Sequence, residues 1–255
     1  MEYGINILGL IPLRAEPKDQ SEMISQVLFG QHFQIIEVNA KWIKIKLAHD
    51  NYEGWICSKQ YQEITFEDYD NLSLNEFPLV SNRFTHLQLI GSNDTTPVSM
   101  GAILPYFHKG ITRIRNNKYH FNGNIASKHH NDILKYAYQL INTPYLWGGK
   151  SIFGIDCSGF TQLVYNLSGI TIPRDAYQQA ELGVTVEIEN IKPSDLVFFI
   201  NANNRIHHVG ISLDNNQIIH ASGKVRIDSL TNEGIIHSQS KELTHRLHLV
   251  KRLIE

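Results

Sequence analysis

The sequence predicts three domains: two small all-β barrels followed by a larger domain of the α+β class. Short apolar strands recur at close spacing over residues 1–62, and the same pattern repeats over residues 63–126. After Gly123, helical spacing of apolar residues replaces this pattern, and a run of strands then completes residues 127–255. Helices that precede a strand meander are typical of an α+β domain with segregated layers.

The strands of both barrels are predicted from local alternation. In the first barrel, two apolar runs flank Gly30, and residues 41–47 alternate between polar and apolar side chains before a polar turn. In the second, a hairpin turn is expected at Asn116 and Asn117. The strands expected there cover residues 86–91, 101–107 and 111–121.

The third domain begins with helices. Apolar residues between 128 and 141 lie on one helix face, with Ser127 as a candidate cap. A second helix is predicted to begin at Cys157, because apolar residues follow it at helical spacing, and a short helix is expected over residues 175–182. The strands that follow are predicted over residues 195–200, 207–213, 217–221 and 245–253.

Composition excludes several classes of function. The 42% of hydrophobic residues supply real cores, and a formal net charge of −2 offers no basis for a nucleic-acid or anionic-membrane partner. Two cysteines, Cys57 and Cys157, are too few for a disulfide framework or a cysteine-rich zinc site. Residues 5–13 predict a first strand rather than a signal peptide, and no apolar run approaches the ~20 residues of a membrane span. We therefore expect a cytoplasmic location.

Cys157 is a candidate nucleophile. A thiol at a helix N-terminus lies at the positive end of the macrodipole, which favours the thiolate that attacks carbonyl carbon. Glycines crowd the approach to it, so that another backbone or a substrate can come close: Gly148, Gly149, Gly154 and Gly159. The alternative is a buried structural cysteine.

Two histidines in the strand region offer a base and its orienting partner. His208 and His220 flank a predicted turn at residues 214–216, and a three-residue loop there would place position 220 opposite Gly210. His220 would then share a sheet face with His208, whereas His207 would lie on the opposite face. One imidazole could accept the thiol proton while the other fixes its tautomer. The alternative is a pair of sheet histidines with satisfied hydrogen bonds.

Six short motifs together resemble the NlpC-type family of papain-like cysteine peptidases, which act on bacterial cell-wall peptides. They are Tyr-Leu-Trp-Gly-Gly followed by Asp-Cys-Ser-Gly-Phe, then Pro-Arg-Asp-Ala, Asp-Leu-Val-Phe-Phe, His-Val-Gly-Ile and Ile-His-Ala-Ser-Gly. The N-terminal half resembles bacterial Src-homology-3-like barrels. The whole layout is similar to the dipeptidyl-peptidase branch, which cleaves γ-D-glutamyl-L-diamino acid bonds in murein peptides with a free N-terminal L-alanine.

The resemblance implies a role for each residue. It makes Cys157 the nucleophile, His208 the base and His220 the orienting residue, with Tyr145 helping to hold the oxyanion. No metal or other cofactor is implied, and we expect a monomer with a murein peptide as its partner. The substrate-binding residues implied are Trp147, Asp156, Ser158, Arg174, Asp175 and Glu53.

A buried substrate ammonium needs carboxylates, which suits Asp175 and Glu53. Two positions depart from the family pattern: Ala176 replaces a common serine, and Ser194 replaces the glycine of the usual Pro-Gly-Asp-Leu turn. Two other functions stay open. One is a wall-bound hydrolase or amidase anchored by the barrels, and the other is a non-catalytic receptor for murein peptides.

Overall fold

The computed structural model describes residues 2–214 and 216–254, and these divide between Ala126 and Ser127 into two compact units. The N-terminal unit begins with a mixed-order antiparallel sheet whose strand order is β3-β2-β6-β5-β4-β1-β7. Its strands are β1 (Glu2–Ile5), β2 (Leu10–Arg14), β3 (Met23–Leu28), β4 (His32–Asn39), β5 (Trp42–Leu47), β6 (Glu53–Cys57) and β7 (Gln62–Ile64).

Alternation explains how this sheet forms a core. In β5 the apolar residues of Trp-Ile-Lys-Ile-Lys-Leu are buried, while the two lysines between them are partly exposed. Ile43 and Ile45 pack with fully buried residues of the neighbouring strands, among them Ile11, Leu13 and Phe33. Strand β2 pairs with β3 and β6, so the sheet curves around this cluster.

The prediction of a second, separate barrel over residues 63–126 is not confirmed. Helix α1 (Phe66–Leu74) opens this segment, held by a capping box between Thr65 and Asp68. A four-stranded sheet of order β10-β11-β8-β9 follows. Its strands are β8 (Phe84–Leu89), β9 (Thr95–Ser99), β10 (Ile111–Ile114) and β11 (Asn117–His120). The two-residue turn between β10 and β11 contains Arg115 and Asn116, one position earlier than expected.

This small sheet shares its core with the first sheet. Ile5 and Phe29 from the first part of the chain pack in the same buried cluster as Leu87 and Val98. The first sheet therefore covers apolar surface that these four short strands would otherwise expose to water.

The C-terminal unit places its helices before its sheet. A 3-10 turn at His130–Asp132 leads into α2 (Ile133–Gln139), so the regular helix is shorter than the 128–141 expected. The short strands β12 (Lys150–Ser151) and β13 (Gly154–Ile155) form a hairpin before α3 (Cys157–Leu167), and α4 (Ala176–Gln179) follows. Helix α3 begins at Cys157 as predicted, and it packs on two strands of the following sheet.

That sheet has the order β14-β20-β15-β16-β17-β18-β19, and β19 also pairs with β20. The expected meander therefore closes on itself, with β20, β15, β16, β17, β18 and β19 in a ring. Closure is possible because β20 is ten residues long and is bulged where it meets β15 and β19. The strands are β14 (Val184–Val186), β15 (Leu196–Ile200), β16 (Ile206–Leu213), β17 (Gln217–Ser222), β18 (Lys224–Leu230), β19 (Gly234–Ile236) and β20 (Leu243–Arg252).

The interior of this ring is apolar at its centre. Val197 and Phe199 of β15 pack there with Ile218, Ile235 and Val250 from three other strands. No helix among the described residues is long and apolar enough to cross a membrane.

Candidate active site

Cys157 lies at the first turn of α3, capped by its neighbour. The Asp156 carboxylate accepts from the backbone N–H of Gly159 at 2.7 Å, and the chain enters the helix in extended conformation. A Cβ at Gly159 would lie 2.3 Å from the carbonyl oxygen of Gly149, and one at Gly149 equally close to that of Gly154. The glycines therefore permit the close backbone approach expected around the cysteine.

The thiol is buried and protonated. Burial raises the pKa of Cys157 to about 12. The Asp156 carboxylate also raises this pKa, and its effect is larger than the opposing effect of the hydrogen bond with the Val209 backbone. Burial therefore opposes the thiolate that the helix N-terminus was expected to favour. The Cys157 thiol is a weak donor, and its Sγ lies 4.0 Å from the carbonyl oxygen of His207 on strand β16.

The two predicted histidines meet as expected. Gly210 pairs with His220 in the β16–β17 ladder, which confirms the predicted register, although Asn215 of the turn lies outside the described residues. His208 Nε2 lies 2.8 Å from His220 Nδ1, and the ring planes are nearly perpendicular at 86°. Both rings are buried, whereas His207 is exposed. The prediction that His207 lies on the opposite face is wrong, because β16 is bulged at this residue and the His207 ring stacks on that of His245 with centroids 5.8 Å apart.

Both histidines are neutral at pH 7. Burial lowers the pKa of His208 well below its ordinary value, and the neighbouring His220 lowers it further. Burial also lowers the pKa of His220, against the opposing effect of Asp228. A neutral imidazole can accept a proton, which is the property that the predicted base requires.

Sequence reasoning missed His245, which covers one face of the His208 ring. Its ring stacks on His208 with centroids 4.1 Å apart and planes 28° apart, and Phe199 packs beside both. Burial lowers the pKa of His245 to about 4, so this ring is also neutral. It comes from β20, which only β15 separates from β16 in the sheet, and no local pattern signals this pairing of strands distant in sequence.

Asp228 was also missed, and it stands behind His220. Its Oδ2 lies 3.0 Å from His220 Nε2, and its Oδ1 accepts from the backbone N–H of Ser238 at 2.8 Å and from Arg226 at 3.0 Å. The signal that could have found it is the β17–β18 hairpin. Because His220 pairs with Arg226, Asp228 two residues further on lies on the same face.

Tyr145 lies beside the thiol. Burial raises the pKa of its phenol to about 12, and the nearby Cys157 and Asp156 raise it in the same direction. The hydroxyl therefore remains a hydrogen-bond donor at neutral pH. The backbone N–H of Tyr145 donates to the Gly223 carbonyl at 3.0 Å, which anchors this segment next to the end of β17.

Three of the predicted substrate-binding residues form one buried network. The Arg174 guanidinium donates to both carboxylate oxygens of Asp156, at 3.0 and 2.6 Å, and to Ser158 Oγ at 2.8 Å. The backbone N–H of Gly148 donates to Asp156 Oδ2 at 2.8 Å. These contacts hold the loop before α3 against its first turn. Their role toward substrate stays a prediction.

The other predicted substrate-binding residues lie at three further positions in the chain. Trp147 is 59% exposed, and Asp175 caps α4 in a capping box with Gln178. Glu53 lies on β6 of the N-terminal unit, where its carboxylate is 3.0 Å from Lys44 Nζ.

Among the described residues, His208, His220 and His245 each offer a ring nitrogen within 4.8 Å of the others. Imidazoles suit Zn²⁺ or Cu²⁺. In this structure, however, His208 Nε2 and His220 Nδ1 face each other across a hydrogen bond, so two of those ligands are engaged.

Comparison with known proteins gives consistent results. The model of the NlpC/P60 family matches residues 142–243, and that of the bacterial dipeptidyl-peptidase Sh3 domain matches residues 13–60. The chain is 30% identical over 247 residues to a gamma-D-glutamyl-L-lysine dipeptidyl-peptidase of Bacillus cereus, covering 85% of this chain and 73% of that protein. Dipeptidyl-peptidase 6 of Lysinibacillus sphaericus is 27% identical over 279 residues, which cover 94% of this chain and 96% of the relative.

A solved structure shows the same fold over the whole chain. The crystal structure of an NlpC/P60 family protein from Bacillus cereus ATCC 10987 has a TM-score of 0.84 at 23% identity, covering 99% of this chain and 100% of that one. The fold of each unit thus has a counterpart in a solved structure.

Proposed function

This chain belongs to the NlpC/P60 family of cysteine peptidases, and we propose that it hydrolyses the γ-D-glutamyl-L-diamino acid bond of murein peptides with a free N-terminal L-alanine. The observation that carries the proposal is the hydrogen-bonded pair His208–His220 in the same unit as Cys157 at the start of α3. A nucleophile, a neutral base and an orienting group are the parts that thiol acyl transfer requires.

The reaction follows from these groups. His208 takes the proton of the Cys157 thiol as sulfur attacks the γ-carbonyl carbon of the glutamyl residue. The Tyr145 hydroxyl, protonated at neutral pH, donates to the oxyanion that forms. The imidazolium returns its proton to the departing amine of the diamino acid and leaves a thioester. Water then attacks the thioester, with His208 again as the base, and the thiol is restored.

The substrate class rests on relatives and charge. Relatives from Bacillus cereus and Bacillus subtilis carry the name gamma-D-glutamyl-L-lysine dipeptidyl-peptidase, which supports the γ-glutamyl bond as the site of cleavage. A free N-terminal ammonium would need a carboxylate, for which Asp175 and Glu53 are the residues proposed. The cytoplasmic location and the monomeric state stay predictions.

The decisive experiment uses three peptides of one sequence. L-Ala-γ-D-Glu-L-Lys, its N-acetylated form and a form with an α-linked glutamate are incubated with the wild-type protein and with Cys157→Ser, and products are identified by mass. We expect L-Ala-γ-D-Glu and lysine from the first peptide alone, and no products from the variant. Equal turnover of the acetylated peptide would contradict the free-amine requirement and favour a wall hydrolase. Binding without turnover would favour a receptor.

A further inference from the structure

We propose that Asp228 is a positioning residue that fixes the tautomers of both active-site histidines. The proposal rests on the proposed function only in taking His208 as the base. It goes beyond the Cys157–His208–His220 arrangement by adding a residue on β18 that does not touch His208.

Asp228 is a buried, ionised carboxylate. It is 3% exposed, and its oxygens form hydrogen bonds with His220 Nε2, the Ser238 backbone N–H and the Arg226 guanidinium. Burial alone would raise the pKa of this carboxyl, but the hydrogen bonds from those three groups outweigh it and hold the pKa well below its ordinary value. Arg226 Nε lies 2.8 Å from Oδ2, so a fixed positive charge also faces the anion.

An ionised carboxylate can only accept hydrogen bonds, and this settles where each proton lies. His220 Nε2, at 3.0 Å from Asp228, must carry its hydrogen, so Nδ1 of the neutral His220 ring is an acceptor. His208 Nε2, at 2.8 Å from that Nδ1, must then be the donor. The neutral His208 ring is left with an unprotonated Nδ1. That nitrogen is the one that can receive the Cys157 proton.

The arrangement also predicts what an amide would do at this position. Two donors, from Ser238 and Arg226, hydrogen-bond to Oδ1 at 2.8 and 3.0 Å, whereas Arg226 Nε, although 2.8 Å from Oδ2, makes no hydrogen bond to it. In Asp228→Asn, the Ser238 and Arg226 donors favour the amide oxygen at the Oδ1 position, which turns the NH₂ group toward His220 Nε2. His220 would then carry its hydrogen on Nδ1 and His208 on Nδ1, and the base would be lost.

Asp195→Asn is the matched control. Asp195 is also a 3%-exposed carboxylate held by an arginine, with Arg252 donating at 2.9 and 2.6 Å, but it has no described contact with either histidine. Both variants lose a buried ion pair on the same sheet, so loss of stability alone would affect them alike.

The first measurement is the tautomer itself. Protein labelled with ¹⁵N-histidine is studied by long-range ¹H–¹⁵N NMR at pH 7, with the His220 signals assigned by their loss in His220→Gln. We expect the Nε2–H form of His220 in the wild type and in Asp195→Asn, and the Nδ1–H form in Asp228→Asn. The wild-type ring in the Nδ1–H form would overturn the proposal.

The second measurement is reactivity, which needs no peptide. The rate at which iodoacetamide alkylates Cys157 at pH 7 should fall about 10–100-fold in Asp228→Asn and stay within twofold in Asp195→Asn, as expected for a partner that orients a functional histidine. Asp228→Ala should lose as much and recover in part with added formate, since a cleft of about 410 Å³ lined by Arg226 and Ser238 lies beside the position. Equal alkylation rates in all variants would refute the role of Asp228, whatever the peptide assay shows.

Discussion

Arg174→Gln is expected to destabilise the C-terminal unit more than it weakens substrate binding. The wild-type guanidinium is 1% exposed and donates to Asp156 at 3.0 and 2.6 Å and to Ser158 at 2.8 Å. Without it, the Asp156 carboxylate remains buried with the backbone donors of Gly148 and Gly159 and one long hydrogen bond, at 3.4 Å, from Ser158 Oγ.

The size of the effect follows from those contacts. Removing one partner of a buried ion pair costs about 3–5 kcal/mol. A glutamine amide can restore one hydrogen bond, worth about 1 kcal/mol, so the expected loss in free energy of unfolding is ~2–4 kcal/mol. At about 2–4 °C per kcal/mol for chains of 150–250 residues, the melting temperature falls by roughly 4–16 °C.

The assay is thermal unfolding followed by circular dichroism, together with kcat and KM at a temperature where both proteins are folded. Arg205→Gln, at an exposed arginine of the same unit, is the control and should change the melting temperature by less than about 1 °C. A variant of Arg174 that melts with the wild type but shows a raised KM would refute this reasoning. It would make Arg174 a substrate contact, as the family resemblance implies.

Four further outcomes are expected. His208→Ala should lower kcat by about 10²–10⁴-fold while His207→Ala is mild, because only the first ring can take the thiol proton; equal losses would mean that the base is misassigned. Ser194→Gly should raise the free energy of unfolding in urea by about 0.5–1 kcal/mol, since Ser194 holds a left-handed φ of 74°; a decrease would contradict this. Glu53→Gln should narrow the ratio of kcat/KM between free and acetylated peptide by about tenfold, and an unchanged ratio would remove Glu53 from amine recognition. The free energy of unfolding in urea should fall between pH 7 and 5, because histidines of the unfolded chain bind protons near pH 6.5 while burial keeps their pKa values lower in the folded chain. A flat profile would argue against neutral rings at the four histidines concerned, which are His32, His208, His220 and His245.

Features set by neighbours in the chain were predictable. The start of α3 at Cys157 followed from apolar spacing, and the pairing of Gly210 with His220 followed from the length of one turn. Both depend on interactions between residues close in sequence, for which helical and strand periodicity are reliable guides.

Features that depend on pairings between distant parts of the chain were not predictable from the sequence. The shared core of the N-terminal unit joins Phe29 to Val98, and His245 of β20 stacks on His208 of β16, two strands away in the sheet. Such contacts depend on how sheets curve and which apolar faces remain uncovered, and a local pattern does not encode them. Asp228 is an intermediate case, because the register of one more hairpin would have revealed it.

Burial explains why orientation matters more in this site than resting charge. It raises the pKa of Cys157 to about 12 and lowers that of His208, so neither the thiolate nor the imidazolium is favoured before a substrate arrives. In the proposed mechanism, charge separates during attack, when the new positive charge on His208 lies two hydrogen bonds from the Asp228 carboxylate. Oxidation follows thiolate character and access, so we expect a protonated thiol that is 6% exposed to be a poor target for it.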